Sequence, residues 1–279
     1  MLKTEGLAAQ QAVEPGAGVV LEDQVPDRAA PTVLITGAAQ RIGRVLARDF
    51  AARGWRVAIH CHASQDEARE LAAELGKTGT PTAVLTADLA LARDVAGLLP
   101  QCCRALGPPS CLINNAAMFA PDAIGTLSSE LWDAQLAVNL KAPVFLAKAF
   151  AGHLPAGGSG NIINIIDQGV LKPTPHFFSY SASKAGLWAV TRTLAQALAP
   201  RIRVNAIGPG PVLQSTHQTE AEFRAEYQAT LLGRRTDPEE IAAAIRFILA
   251  APALTGQMLA LDGGQHLAWQ TPDVASTGS

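Results

Sequence analysis

The sequence carries no excess of charge of either sign: 22 Lys and Arg stand against 24 Asp and Glu, a formal net charge of -2. That balance leaves no electrostatic footprint for nucleic acid or for an acidic membrane surface. No apolar run approaches the roughly 18 residues that a membrane-spanning helix needs. Cysteine is scarce as well. The four present, Cys61, Cys102, Cys103 and Cys111, form no C-x-x-C pair and no disulfide framework, which predicts free thiols in a reducing compartment. The opening MLKTEGLAAQQAVEPGAG lacks the basic stretch and apolar core of a secretory signal. These absences together predict a cytoplasmic protein without nucleic-acid or membrane partners. His153, His176 and His217 show no metal-ligand spacing, so they read as surface or loop residues and no metal is expected. Cys102 and Cys103 read as helix packing, and Trp132 and Trp188 as residues on helix faces.

What is present is a regular alternation. Residues 1–30 mix Pro, Gly, Gln and acids without period and are expected to form a mobile leader; from Pro31 the pattern changes. Short apolar runs at 32–35, 56–60, 82–85, 110–113, 161–166, 202–206 and 258–261 predict buried strands. Between them, helical periodicity predicts helices over 42–53, 67–75, 92–105, 130–150, 179–199 and 238–249. Strands alternating with helices imply one parallel sheet covered on both faces, an α/β, Rossmann-type doubly wound fold. No repeat or second composition regime interrupts it, so residues 31–267 are expected to form a single domain followed by a tail over 268–279. The polar stretch from Leu213 to Leu232 reads as a lid over a substrate site.

The first strand runs into Thr36-Gly37-Ala38-Ala39-Gln40-Arg41-Ile42-Gly43 before the first helix. Glycines there let the backbone approach a pyrophosphate, and the helix N-terminus adds partial positive charge. By itself a two-glycine turn caps many strand–helix joints; its place on the first strand of an alternating chain is what points to a dinucleotide. An NAD site places an acid after the second strand to hold the ribose hydroxyls. Here that segment reads His60-Cys61-His62-Ala63-Ser64, with no acid before Asp66. Nothing there repels a 2′-phosphate, and Arg41, His62 and Ser64 can donate to one, so NADP(H) is the expected cofactor.

Ser179-Tyr180-Ser181-Ala182-Ser183-Lys184 places a phenol and an amine four residues apart, on one face of a helix. An ammonium beside a phenol stabilises the phenolate and makes it a usable acid–base group. A Tyr-x-x-x-Lys pair alone is commonplace. In company with Thr36-Gly37 and Gly43, Asp88-Leu89, Asn114-Asn115-Ala116-Ala117, Asn139, Asn205 to Gly210 and Asp262-Gly263-Gly264, the chain resembles a short-chain dehydrogenase/reductase over residues 31–267. The resemblance implies that Tyr180, Lys184 and Asn139 are catalytic. Asn139 would bend its helix to fix a water beside Lys184. The cofactor would be held by Gly37, Arg41, Ile42, Gly43, His60, His62, Ser64, Asp88, Leu89, Asn115, Ala116, Lys184, Pro209, Gly210 and Val212.

Two positions depart from the family pattern. Thirteen residues before the catalytic Tyr, where many members carry Ser, stands Asp167, and the last glycine of Asn-Asn-Ala-Gly is Ala117. A carboxylate does not stabilise a developing alkoxide, but it accepts hydrogen bonds from N–H donors and can share a proton with Tyr180. With Arg41 in the turn, His60, His62 and Ser64 after the second strand, and Phe119 placed to stack a flat ring, this resembles the pteridine reductase branch. Ala63 and Ala117 fall short of that branch's pattern. The resemblance implies NADPH-dependent hydride transfer to a dihydropterin, a small-molecule substrate held by Phe119, Asp167, Tyr180 and Arg41. A carbonyl (3-ketoacyl or ketone) reductase and a catalytically silent NADP-binding sensor stand as alternatives. The family's habit of pairing its long helices, with the apolar content of residues 186–198, implies a homotetramer.

Overall fold

The computed structural model describes residues 30–269. The expected leader over 1–29 and all but the first two residues of the expected tail lie outside the described residues. Seven parallel strands form one sheet in the order β3-β2-β1-β4-β5-β6-β7. They are β1 (Thr32–Ile35), β2 (Arg56–Cys61), β3 (Thr82–Thr86), β4 (Cys111–Asn114), β5 (Gly160–Ile165), β6 (Ile202–Pro209) and β7 (Met258–Leu261). The helices are α1 (Arg41–Ala51), α2 (Gln65–Gly76), α3 (Ala92–Leu106), α4 (Ser129–Leu136), α5 (Ala142–His153), α6 (Phe178–Leu198), α7 (Glu220–Gln228) and α8 (Pro238–Ala250).

The period of two along each strand sorts side chains into two apolar layers. Val33, Ile35, Val57 and Ile59 pack against Leu46 and Phe50 of α1, Leu71 of α2 and Ile241, Ile245 and Ile248 of α8. Leu34, Ala58, Leu112 and Ile162 face the other way, onto Leu98 and Leu99 of α3, Leu146 and Phe150 of α5 and Ala195 of α6. Because both faces are covered, the strands read as continuous apolar runs, and all four residues of β1 are buried. The chain builds outward from β1 to β3 and then returns to β4 on the other side of β1. The crevice at the carboxyl ends of β1 and β4, where the order reverses, is where such sheets bind ligands.

Two elements differ from expectation. The helix expected over 130–150 is broken into α4 and α5 by a wide π turn at Ala137–Lys141. Pro143 has no N–H to give to residue 139, and the Asn139 side chain is drawn sideways to the backbone of Met118, accepting from its N–H at 2.7 Å and donating to its carbonyl at 2.8 Å. Within the expected lid, residues 220–228 are helical. The start signal of α7 is a capping box in which Thr219 and Glu222 satisfy each other's backbone N–H.

Candidate active site

The glycine turn is a cradle that tolerates no side chain at its closest points. Gly37 has φ +63°, and a Cβ on Gly43 would lie 2.2 Å from the Gly37 carbonyl and 2.7 Å from Asn115 Nδ2. Asn115 ties the turn to β4 by donating to the carbonyls of Thr36 and Gly37 at 2.9 and 3.0 Å. Thr36 Oγ1 accepts in return from the N–H groups of Asn115 and Ala116. This lattice holds the backbone open toward the N-terminus of α1, the geometry that an anionic pyrophosphate needs.

His60 is corrected by the structure. It was expected as a cofactor ligand, yet it is only 1% exposed and both ring nitrogens are engaged inside the fold. Nδ1 accepts from the Gly37 N–H at 3.1 Å, which leaves Nε2–H to donate to the Ala87 carbonyl at 3.1 Å. Burial pushes its pKa down to about 4, so the ring is neutral at physiological pH and acts as a strut beneath the turn. Its stabilising contribution is complete above the ordinary histidine pKa and is lost as pH falls through about 4. His62 and Ser64, by contrast, are accessible. The His62 side chain is exposed, with Nε2 3.9 Å from Asp88 Oδ2, and Ser64 precedes α2 without capping it. Leu89 is buried in the layer of α3 and α5, so its side chain is not at the turn.

Arg41 is also placed differently from expectation. It occupies the left-handed region with φ +52°, where a glycine would be unstrained. Its guanidinium donates to the carbonyls of Leu213 and Gln214 at 2.9 Å each, strapping the turn to the segment that follows β6. Two of its donors therefore serve the protein itself. Val212 is buried in the core, Ile42 packs against it, and the Gly210 N–H donates to the Leu261 carbonyl at 3.0 Å.

At the carboxyl end of β5 the expected reactive group is assembled. Tyr180 Oη lies 2.9 Å from Asp167 Oδ2, and Asp167 Oδ1 accepts from the Gly169 N–H at 2.7 Å, which fixes the carboxylate's orientation. Lys184 is 3% exposed; its Nζ donates to the Ile165 carbonyl at 2.8 Å and stands 5.6 Å from the Tyr180 ring centre. Burial pushes the Asp167 carboxyl up and the Tyr180 phenol well above its ordinary value, the latter reinforced by the adjacent carboxylate. Burial lowers Lys184 to about 8. Desolvation thus favours protons on the oxygens and weakens the hold of the amine on its own; the phenol moves opposite to the lowering expected from a neighbouring ammonium, because burial and the Asp167 carboxylate dominate it.

Around the expected stacking ring Phe119, three further parts, Asp122, His217 and Glu226, were not anticipated from the sequence. Asp122 meets the first turn of α6 by accepting from the Ser179 N–H and hydroxyl. Phe119, 38% exposed, stacks on Phe177 at 4.3 Å between ring centres and meets Tyr180 edge-on at 4.7 Å. His217, expected as a bystander, brings Nε2 within 3.1 Å of the Phe119 carbonyl. Glu226 of α7 is the third. It accepts from Gln218 at 2.6 Å, and its charge adds to the upward push on Asp167. The capping box was the one local signal that could have revealed α7; the other contacts join segments far apart in sequence.

Among the described residues, no group of three His, Cys, Asp or Glu is arranged to hold a metal ion, and no helix is long and apolar enough to cross a membrane. Residues 31–226 match the family described as short chain dehydrogenase. A curated 3-oxoacyl-[acyl-carrier-protein] reductase from Synechocystis sp. is 33% identical over 241 residues, covering 84% of this chain and 96% of the relative. A structure of FolM alternative dihydrofolate reductase 1 from Brucella canis, complexed with NADP, is similar with a TM-score of 0.86 and 47% identity. That match covers 88% of this chain and 98% of the other. A blue fluorescent protein from a metagenomic library, complexed with NADPH, is similar at a TM-score of 0.79 and 28% identity, over 84% of this chain and 97% of the other. With the parallel sheet, the glycine cradle and the Tyr180/Lys184 pair in place, these likenesses lead to one conclusion: the chain belongs to the short-chain dehydrogenase/reductase family of oxidoreductases.

Proposed function

We propose that this protein is an NADPH-dependent reductase of the C=N bond of a dihydropterin. The observation that carries the reading is the 2.9 Å contact between Tyr180 Oη and Asp167 Oδ2. A serine at position 167 would donate to a substrate carbonyl; a carboxylate instead offers an acceptor for ring N–H groups and a second proton store. The 47% identical Brucella canis protein, named an alternative dihydrofolate reductase, supports the same substrate class.

The residues present fit NADP(H). The cradle of Gly37 and Gly43 leaves room only for backbone, and His62 and Ser64 present donors where an NAD site would carry an acid. When bound, the nicotinamide supplies the hydride. The remaining steps belong to the chain. Phe119 offers a ring face for stacking, which fixes a flat heterocycle in a near-attack pose. Tyr180 delivers its phenolic proton to the ring nitrogen, and the Asp167 carboxyl, raised by burial and hydrogen-bonded to the phenol at 2.9 Å, passes a proton back to the phenol when it is itself protonated. Lys184 keeps positive charge beside the phenol below a pH of about 8. Asn139 holds Met118 and thereby the loop after β4 that carries Phe119. We place the enzyme in the cytoplasm and as a homo-oligomer. The exposed Phe145 on α5 and the exposed Ala185 and Ala189 on α6 support that assembly.

Purified protein with NADPH tests the reading against a dihydropterin and a panel of ketones and 3-ketoacyl esters. The expected result is cofactor oxidation with the dihydropterin at a kcat/KM at least about a hundredfold above any carbonyl compound. The 3-oxoacyl reductase relative marks the competing outcome, in which only carbonyl compounds turn over.

A further inference from the structure

We infer that Asp122 is a positioning residue for the reaction, acting through Ser179 to set the angle at which α6 presents Tyr180. The inference rests on Tyr180 as proton donor, but not on the identity of the substrate. Asp122 is 6% exposed, and both carboxylate oxygens accept from the Ser179 N–H, at 3.1 and 3.2 Å. The Ser179 hydroxyl donates to Asp122 Oδ2 as well. The Asp122 carbonyl takes the Phe178 N–H at 3.3 Å. Ser179 is wholly buried and receives a further bond from Gln135 Nε2 at 2.6 Å, which also donates to the Ala120 carbonyl.

The need for this arrangement lies in the start of α6. The residue before the helix, Phe177, is left-handed with φ +53° and offers no side-chain cap. The orphan N–H groups of the first turn must be met from elsewhere, and a carboxylate there also complements the helix dipole. Asp122 does this from 57 residues away. One turn further along α6, Asn139 donates to Ser183 Oγ at 3.1 Å while holding Met118. Residues 118–122 are therefore pinned to α6 at Ser179 and at Ser183, four positions apart on one buried face. Tyr180 and Lys184 follow each pin by one residue. Phe119, carried between the two pins, is the ring that meets Tyr180 edge-on. Loss of the Asp122 pin frees α6 to roll and displaces the phenol relative to both Asp167 and a stacked substrate. A displacement of about 1 Å is enough to cost one to two orders of magnitude in rate.

The test is Asp122→Asn in the full chain, alone and combined with Tyr180→Phe, assayed with NADPH and the best substrate of the panel. Asp122→Asn is expected to lower kcat about tenfold or more, with the dissociation constant for NADPH within about threefold of wild type. Added to Tyr180→Phe, it is expected to lower the residual rate less than about twofold, because the group it aims is already gone. An equal loss in both backgrounds would overturn the proposal and leave Asp122 a fold-stabilising residue. Weakened NADPH binding in step with kcat would do the same. Should Asp122→Asn not fold, Ser179→Ala removes the hydroxyl side of the contact and is read by the same pair of comparisons. A wild-type rate in Tyr180→Phe itself would instead defeat the assignment of Tyr180.

Discussion

Tyr180→Phe is expected to reduce kcat by about a thousandfold, the range set by loss of a positioned general acid, while NADPH affinity changes less than about threefold. The asymmetry follows from where the hydroxyl points. Its hydrogen bond goes to Asp167, not to the glycine cradle or to Lys184, whose ammonium is held by the Ile165 carbonyl. Phenylalanine keeps the ring that meets Phe119 edge-on at 4.7 Å, so the substrate face is preserved. What disappears is the transferable proton. Steady-state kinetics with a separate fluorescence titration of NADPH measures both quantities. A kcat within tenfold of wild type would show that Asp167 or solvent delivers the proton directly.

Asp167→Ser is the second large effect, and its sign depends on the substrate. Against a dihydropterin the variant is expected to lose about a hundredfold or more in kcat/KM, because both the N–H acceptor and the proton store vanish together. Against a simple ketone the same change is expected to preserve or raise activity, since a serine hydroxyl can donate to the developing alkoxide. The Gly169 N–H that now fixes Asp167 Oδ1 at 2.7 Å remains available to a serine oxygen, so the local turn should survive. Parallel kcat/KM measurements on the two substrate types read the crossover. Equal losses on both would mean that Asp167 serves only to orient Tyr180.

The frame of the protein was legible in the chain because its signals are local. β1 is Thr32 and three apolar residues ended by Thr36-Gly37, Tyr180 and Lys184 lie at helical spacing, and Asp167 is found by counting back from Tyr180. The interruption at Asn139 was foreseen as a bend, and its physical cause, the reach of that side chain to Met118, needed the fold. What stayed hidden is non-local. His60 and His62 look alike in the string His60-Cys61-His62, yet only His60 lies under the glycine turn, where the carbonyl of Ala87 and the N–H of Gly37 consume its nitrogens. Arg41 meets carbonyls 172 and 173 residues away, and no pattern around position 41 announces that partner. The same holds for Asp122 and Ser179, and for Glu226, whose charge reaches Asp167 only in the folded chain.

A crystal structure of the protein with NADP⁺ and a bound dihydropterin tests the central claim most directly. The account predicts the flat ring lying against Phe119, with its reducible nitrogen within about 3.2 Å of Tyr180 Oη and Asp167 still bonded to the phenol. A ring seated elsewhere, or an Asp167 carboxylate turned away from both Tyr180 and the ligand, would contradict it.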